Sequence, residues 1–221
     1  MPFVATLNVC EIFLSIQGEG TRAGLPCTLV RLAGCNLRCR WCDTPYALEG
    51  GREMSIEEIL AEVQRLGCRR VELTGGEPLI QDASRELLTR LCDDGCDVLL
   101  ETNGTVDISD VDERVARIVD VKCPSSGESA TTMWANMERL RPTDEVKFVV
   151  ADRADYEFAR EAAAARGLPR RCAVIFSPVM DRGAAALPPA RLAEWMLADG
   201  LDVRVGLQLH KIIWPNAERG R

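Results

Sequence analysis

The sequence predicts an α/β protein built on a mostly parallel sheet. Short apolar runs recur along the chain, and most are followed by a stretch of helical periodicity or a glycine-containing turn. The runs also lack strict polar alternation, which suits strands covered by helices on both faces. Repeated β-α steps imply parallel pairing. Roughly seven such steps in 221 residues fit either a doubly wound sheet or a partial β/α barrel. Both architectures gather function at the C-terminal ends of their strands.

In chain order, residues 7–14 and 28–32 read as extended. Ser55-Ile-Glu-Glu58 is a capping box that opens a helix. Ile56, Ile59, Leu60, Val63 and Leu66 then recur at helical spacing until Gly67 ends the run. Further strands are predicted at 71–74, 98–102, 118–122, 146–150, 173–177 and 203–207. Helices are predicted at 83–92, 111–115, 132–140, 154–166 and 189–197.

A single domain spanning 1–221 can bury a sizeable core. Hydrophobic residues make up 47% and charged residues 28%, as in soluble globular proteins. A net charge of −7 argues against nucleic acid or an anionic membrane as partner. No run approaches the ~20 apolar residues of a membrane span. Residues 1–8 show neither the basic nor the apolar region of a signal peptide. A cytoplasmic location is therefore expected.

Ten cysteines in such a chain point to metal binding or catalysis rather than disulfides. Three of them, Cys35, Cys39 and Cys42, fall within one loop directly after the 28–32 strand. A structural zinc site takes four protein ligands, and an ordinary iron–sulfur cluster takes four thiolates. Three ligands leave one metal position open for chemistry. The competing readings are an inert cysteine cluster, disulfides, or a zinc site completed by a distant fourth ligand. Cys10, Cys27, Cys68, Cys92, Cys96, Cys123 and Cys172 are scattered and read as mostly structural.

Polar, glycine-containing motifs follow the other strands. They are Thr74-Gly75-Gly76-Glu77-Pro78, Glu101-Thr102-Asn103-Gly104, Lys122-Cys123-Pro124-Ser125-Ser126-Gly127, Ser177-Pro178-Val179-Met180-Asp181 and Gln208-Leu209-His210-Lys211. Each alone fits a tight turn, but together they describe polar groups around one cavity. His210 is the only histidine, placed by this reading at a strand end. Ser15-Ile16-Gln17-Gly18-Glu19-Gly20 joins the first two strands and can present donors and acceptors to a planar heterocycle. Arg31 lies in an otherwise apolar strand, so it requires an internal carboxylate or an anionic ligand.

The spacing Cys-x3-Cys-x2-Cys, with Trp41 before the last cysteine, resembles the cluster motif of radical S-adenosylmethionine (SAM) enzymes. Gly75-Gly76-Glu77-Pro78 resembles their methionine-binding strand end. The 15–20, 31–36, 42–44, 101–104 and 208–211 motifs further resemble the 7-carboxy-7-deazaguanine synthase family, over about residues 8–215.

That resemblance implies an incomplete β/α barrel of about six to seven parallel strands with outer helices. It implies a [4Fe–4S] cluster on Cys35, Cys39 and Cys42, with SAM on the remaining iron and Mg²⁺ on Thr44. SAM cleavage would yield a 5′-deoxyadenosyl radical that takes hydrogen from C6 of 6-carboxy-5,6,7,8-tetrahydropterin. The ring would then contract with loss of ammonia. Trp41, Asp43, Gly76, Glu77, Cys123, Pro124, Ser125, Ser177, Pro178, Val179 and Met180 would form the SAM site. Ile16, Gln17, Gly18, Arg31, Thr74, Glu101, His210 and Pro215 would contact the pterin. A segment at about 208–221 would cap the substrate. A homodimer and an electron donor such as flavodoxin or ferredoxin are implied as well. The rivals are a glycyl-radical-enzyme activase, which gives no role to Gln17, Glu101 and His210, and a non-catalytic iron–sulfur or zinc module, which calls for a fourth metal ligand and has no use for Gly75-Gly76-Glu77-Pro78.

Overall fold

The computed structural model describes residues 5–181, 184–217 and 219–220. Strand β1 (Thr6–Ile16) forms an antiparallel hairpin with β2 (Pro26–Leu32), which pairs Leu14 with Thr28. The short β3 (Arg52–Ser55) pairs with β1 and leads into helix α1 (Ile56–Leu66). β3 carries no apolar signal because only Met54 of its four residues is buried. β4 (Arg70–Gly75), α2 (Ala83–Asp93), β5 (Asp97–Thr102), β6 (Ala116–Val121) and β7 (Glu145–Val150) follow. Next come α3 (Arg153–Ala165), β8 (Ala173–Pro178) and a two-residue pair, β9 (Met180–Asp181) with β10 (Ala184–Ala185). α4 (Pro189–Ala198), β11 (Arg204–Val205) and α5 (Leu209–Ile213) complete the described chain.

One nine-stranded sheet runs in the order β11-β8-β7-β6-β5-β4-β2-β1-β3. Its seven strands from β11 to β2 are parallel, while β1 pairs antiparallel with both β2 and β3. The sheet stays open between β11 and β3, giving the incomplete barrel implied above. α1 starts on the predicted capping box, with Ser55 Oγ accepting from Glu58 N at 3.2 Å and Glu58 Oε2 accepting from Ser55 N at 2.7 Å.

The two faces of the parallel strands differ sharply. Val30, Leu32, Val71, Leu73, Val98, Leu100, Val119, Val121, Val146, Phe148, Val174 and Phe176 belong to one apolar core. The intervening residues Leu29, Arg31, Glu72, Thr74, Glu101, Ile118, Asp120, Lys147, Val149 and Ile175 line a cavity on the other face. Side chains of a strand alternate between faces. The strands thus do alternate, with a mixed polar and apolar inner face in place of a second helix-covered one.

Three predicted elements change. The helix at 111–115 does not form, because Asp112 Oδ1 accepts from Arg114 N at 2.9 Å and offers the backbone a turn instead. Residues 132–140 contain only a 3₁₀ segment, Trp134–Arg139. There the Asn136 side chain donates to Gly104 O and Val106 O, tying the segment to the loop after β5. The last strand shrinks to two residues, so His210 sits on α5 rather than at a strand end.

At the N-terminal end of the barrel, away from the cavity, Asp144 is fully buried between Arg117 and Arg141. Burial pushes its carboxyl up, but hydrogen bonds from Arg117 and Arg141 outweigh that and hold it below the usual carboxylate range. A depressed carboxyl contributes stability that is present above its unfolded pKa and lost as pH falls through the folded one. Asp144→Asn should therefore cost about 3–5 kcal/mol at pH 7. The cost should shrink as pH falls below about 4. Denaturant melts of both proteins across that range would check this, and a pH-independent difference would contradict it.

Candidate active site

The cysteine loop leaves β2 at Gly34, whose N–H donates to Ala47 O at 2.7 Å. It is pressed directly against the loop after β4. A Cβ on Gly76 would lie 2.2 Å from Gly34 O and 2.7 Å from Cys35 Cβ, and one on Gly75 would lie 2.4 Å from Leu32 O. Two backbones approach where no side chain fits, which is what the paired glycines permit. Glu77 N donates to Gly34 O at 2.9 Å and locks the contact. Downstream, Arg40 N donates to Ser126 O at 3.0 Å, and Trp41 Nε1 to Ser125 Oγ at 3.0 Å.

Cys35, Cys39 and Cys42 line one wall of a cavity of about 390 Å³. Leu37 N lies 3.4 Å and Asn103 Nδ2 3.8 Å from Cys35 Sγ. Hydrogen bonds to sulfur are among the features that tune iron–sulfur clusters. Burial pushes the Cys39 thiol up to about 11, so its thiolate calls for a compensating cation. Among the described residues, no three His, Cys, Asp or Glu side chains gather around a point fit for a single ion. Three soft thiols on one cavity wall fit a polynuclear iron–sulfur group by donor chemistry.

In the same cavity, Arg31 Nε donates to Glu11 Oε1 at 2.9 Å, so the required internal carboxylate exists. Tyr46 Oη donates to the same oxygen at 2.9 Å. The terminal nitrogens of Arg31 have no hydrogen-bond partner among the described residues, and Arg31 lines the cavity. Glu101 Oε2 accepts from Thr74 Oγ1 at 3.2 Å, and Gln17 Nε2 donates to Glu72. Burial and the nearby Glu101 charge raise the Glu72 carboxyl well above the usual range, while burial lowers the His210 imidazole. The imidazole is therefore neutral near pH 7, and burial shifts the Glu72 carboxyl toward its protonated form.

Segment 208–211 closes one side of the cavity. Leu209 N donates to Gly18 O at 2.9 Å, Gln208 Nε2 to Glu19 Oε1 at 2.7 Å, and Lys211 Nζ lies 2.7 Å from Asp43 Oδ2. His210 packs on Gly18, where an added Cβ would lie 2.0 Å from Nδ1. Lys211 Nζ also donates to Met180 O at 3.1 Å.

Ile16, Gln17, Gly18, Arg31, Trp41, Asp43, Thr44, Thr74, Gly76, Glu101, Val179, Met180 and His210 thus meet in one cavity with the three cysteines. Seven other candidates lie off its wall. Glu77 is fully buried, and its carboxylate accepts from Leu79 N, Thr102 Oγ1 and Asn103 N, so it fixes the β4 and β5 loops together. Cys123 is buried in the apolar core, with exposed Pro124 beside it. Ser125 is turned to Trp41 and Asp155. Ser177 and Pro178 are buried within β8, with Gly206 against Ser177 Oγ. Pro215 is exposed beyond α5.

Glu72, Asp120 and Lys147 also line the cavity, although no motif singles them out. Their signal is a charged residue inside a short apolar run, the same cue that marks Arg31. No helix among the described residues is long and apolar enough to cross a membrane.

Fold and site together define a radical SAM enzyme. Residues 29–126 match the Radical SAM superfamily. The chain is 48% identical to a 7-carboxy-7-deazaguanine synthase of Koribacter versatilis, across 97% of this chain and 100% of that protein. It is also 48% identical to one of Chlorobaculum tepidum, across 98% of each. The crystal structure of QueE from Escherichia coli superposes with a TM-score of 0.77 at 26% identity, covering 93% of this chain and 95% of that one. The chain belongs to the 7-carboxy-7-deazaguanine synthase family.

The partly exposed Asp43–Lys211 pair is worth at most about 1 kcal/mol. Lys211→Met should raise the opening of segment 208–211 up to about fivefold. Amide exchange at Leu209 reads that opening, and unchanged exchange would mean the pair does not hold the segment.

Proposed function

We propose that the chain converts 6-carboxy-5,6,7,8-tetrahydropterin to 7-carboxy-7-deazaguanine with loss of ammonia. It would act as a radical SAM carbon–nitrogen lyase on a route to 7-deazapurines such as queuosine. The observation that carries this reading is the Arg31 guanidinium. Glu11 holds it at Nε, and among the described residues its two terminal nitrogens have no partner, which would leave them for a ligand in the cavity shared with the three cysteines. A planar fork of this kind suits a carboxylate bound bidentately.

Cys35, Cys39 and Cys42 would hold a [4Fe–4S] cluster, with SAM on its remaining iron. Cluster and SAM together supply a radical able to abstract a carbon-bound hydrogen, and the protein's part is to bind, orient and shield. We assign Trp41, Asp43, Gly76, Val179 and Met180 to the SAM side, with Cys123–Ser125 and Ser177–Pro178 supporting that wall from behind. Ile16, Gln17 and Gly18 would flank the heterocycle. Thr74 and the Glu101 carboxylate would accept from its donor edge, and Arg31 would take its carboxylate. Neutral His210 would close over it. Thr44, whose hydroxyl lies 2.9 Å from Asp43 Oδ1, is assigned to Mg²⁺. Substrate oxygen and water would complete the octahedron of this hard cation.

The whole chain would act as one domain. Exposed Cys42 puts the cluster loop within reach of a one-electron donor such as flavodoxin or ferredoxin. A homodimer and a cytoplasmic location complete the reading.

Anaerobic reconstitution should give visible iron–sulfur absorbance that changes when SAM binds, and a colourless protein would contradict the reading. Cys39→Ala should abolish 5′-deoxyadenosine formation. Arg31→Ala should keep the cluster but raise KM for the carboxylated pterin about thirtyfold, the loss of a charge-assisted pair on the order of 2 kcal/mol. Loss of the cluster in that variant would instead make Arg31 structural.

A further inference from the structure

Lys147 lies in the middle of β7, with only 5% of its side chain exposed. Its ammonium is 2.9 Å from Glu19 Oε2, 2.5 Å from Glu101 Oε1 and 3.5 Å from Asp120 Oδ2. These carboxylates come from the β1–β2 connection, the end of β5 and the adjacent β6, where Asp120 is the register partner of Lys147. Asp120 has a second cation, Lys122, at 2.9 Å. Glu101 and Glu19 have no other lysine or arginine within ion-pair distance among the described residues.

Each of those two carboxylates uses its other oxygen on the site. Glu101 Oε2 accepts from Thr74 Oγ1 at 3.2 Å, and Glu19 Oε1 accepts from Gln208 Nε2 at 2.7 Å. Glu19 N also donates to Gln17 Oε1 at 3.0 Å. One ammonium therefore connects Gln17, Thr74, Glu101 and segment 208–211. Burial alone would favour the neutral amine, but the charges of Glu101, Glu19 and Asp120 outweigh it and keep Lys147 protonated. A cation held this firmly is a poor proton donor. What it can do is fix geometry, since two desolvated carboxylates without it would repel each other and turn apart.

We propose that Lys147 is a positioning residue. Its ammonium holds Glu101 in the orientation that meets the substrate, and holds Glu19 in the one that fastens segment 208–211 over it. This rests on the substrate assignment above, and the two can fail separately. If the wild-type holoenzyme turns over no pterin, that assignment falls.

If wild type is active, the reconstituted variants Lys147→Met and Lys147→Arg are compared with it. The readouts are KM for the pterin, product formed per 5′-deoxyadenosine, and iron content. Lys147→Met should keep its cluster and cleave SAM without substrate within about twofold of wild type. Its KM should rise about tenfold and its product per 5′-deoxyadenosine should fall several-fold, as expected when a reacting group is misplaced. Lys147→Arg should recover most of both losses. Unchanged KM and coupling in Lys147→Met, or equal losses in Lys147→Arg, would overturn the proposal. If Lys147→Met does not fold, the double variant Lys147→Met/Glu19→Gln removes one of the crowded charges and serves in its place. Normal KM and coupling there would likewise overturn the proposal.

Discussion

Charges on the inner face of a barrel must be paired, and that constraint shapes this molecule. Arg31, Glu72, Glu101, Asp120 and Lys147 all lie on strands whose opposite face packs into an apolar core. An unpaired buried charge costs several kcal/mol, so each of these groups has an answer. Arg31 has Glu11, and Lys147 has three carboxylates. Asp120 has two lysines, while Glu72 accepts from Gln17 Nε2 and is pushed toward its neutral form by burial and the Glu101 charge. Among the described residues the terminal nitrogens of Arg31 have no hydrogen-bond partner, and Arg31 lines the cavity.

The same pairings join parts far apart in sequence. Gln208 and Lys211 reach Glu19 and Asp43, so segment 208–211 is tied to both the β1–β2 connection and the cysteine loop. On the other side, the Gly75–Gly76 backbone meets the end of β2 with no room for a side chain, which fixes where the cysteine loop begins. Glu77 then spends its carboxylate on the β5 loop, so Asn103 reaches Cys35. The cysteine loop, the strand-end loops and segment 208–211 are thereby held at fixed relative positions.

Much of this is legible in the sequence. The capping box at Ser55, the strand-end motifs and the three-cysteine spacing each carry a local physical signal that survives folding. β3 is not legible, because four polar-flanked residues pair at an edge without an apolar run. The expected helix at 111–115 loses to the Asp112 turn, a competition between side chain and backbone that hydrophobic spacing does not register. Lys147, Glu72 and Asp120 sit in buried strands where the apolar neighbours dominate the pattern. Only the register reveals that every second residue faces the cavity. Glu77 shows the converse, since its motif marks a site while its side chain is consumed in building it.

The central claim is that the cavity joins a radical-generating cluster to a carboxylated pterin. Anaerobic incubation of the reconstituted protein with 6-carboxytetrahydropterin, SAM, Mg²⁺ and a reductant tests it most directly, with the products identified by mass. Release of 7-carboxy-7-deazaguanine with an equal amount of ammonia is the predicted result. SAM cleavage that returns the pterin unchanged would contradict it.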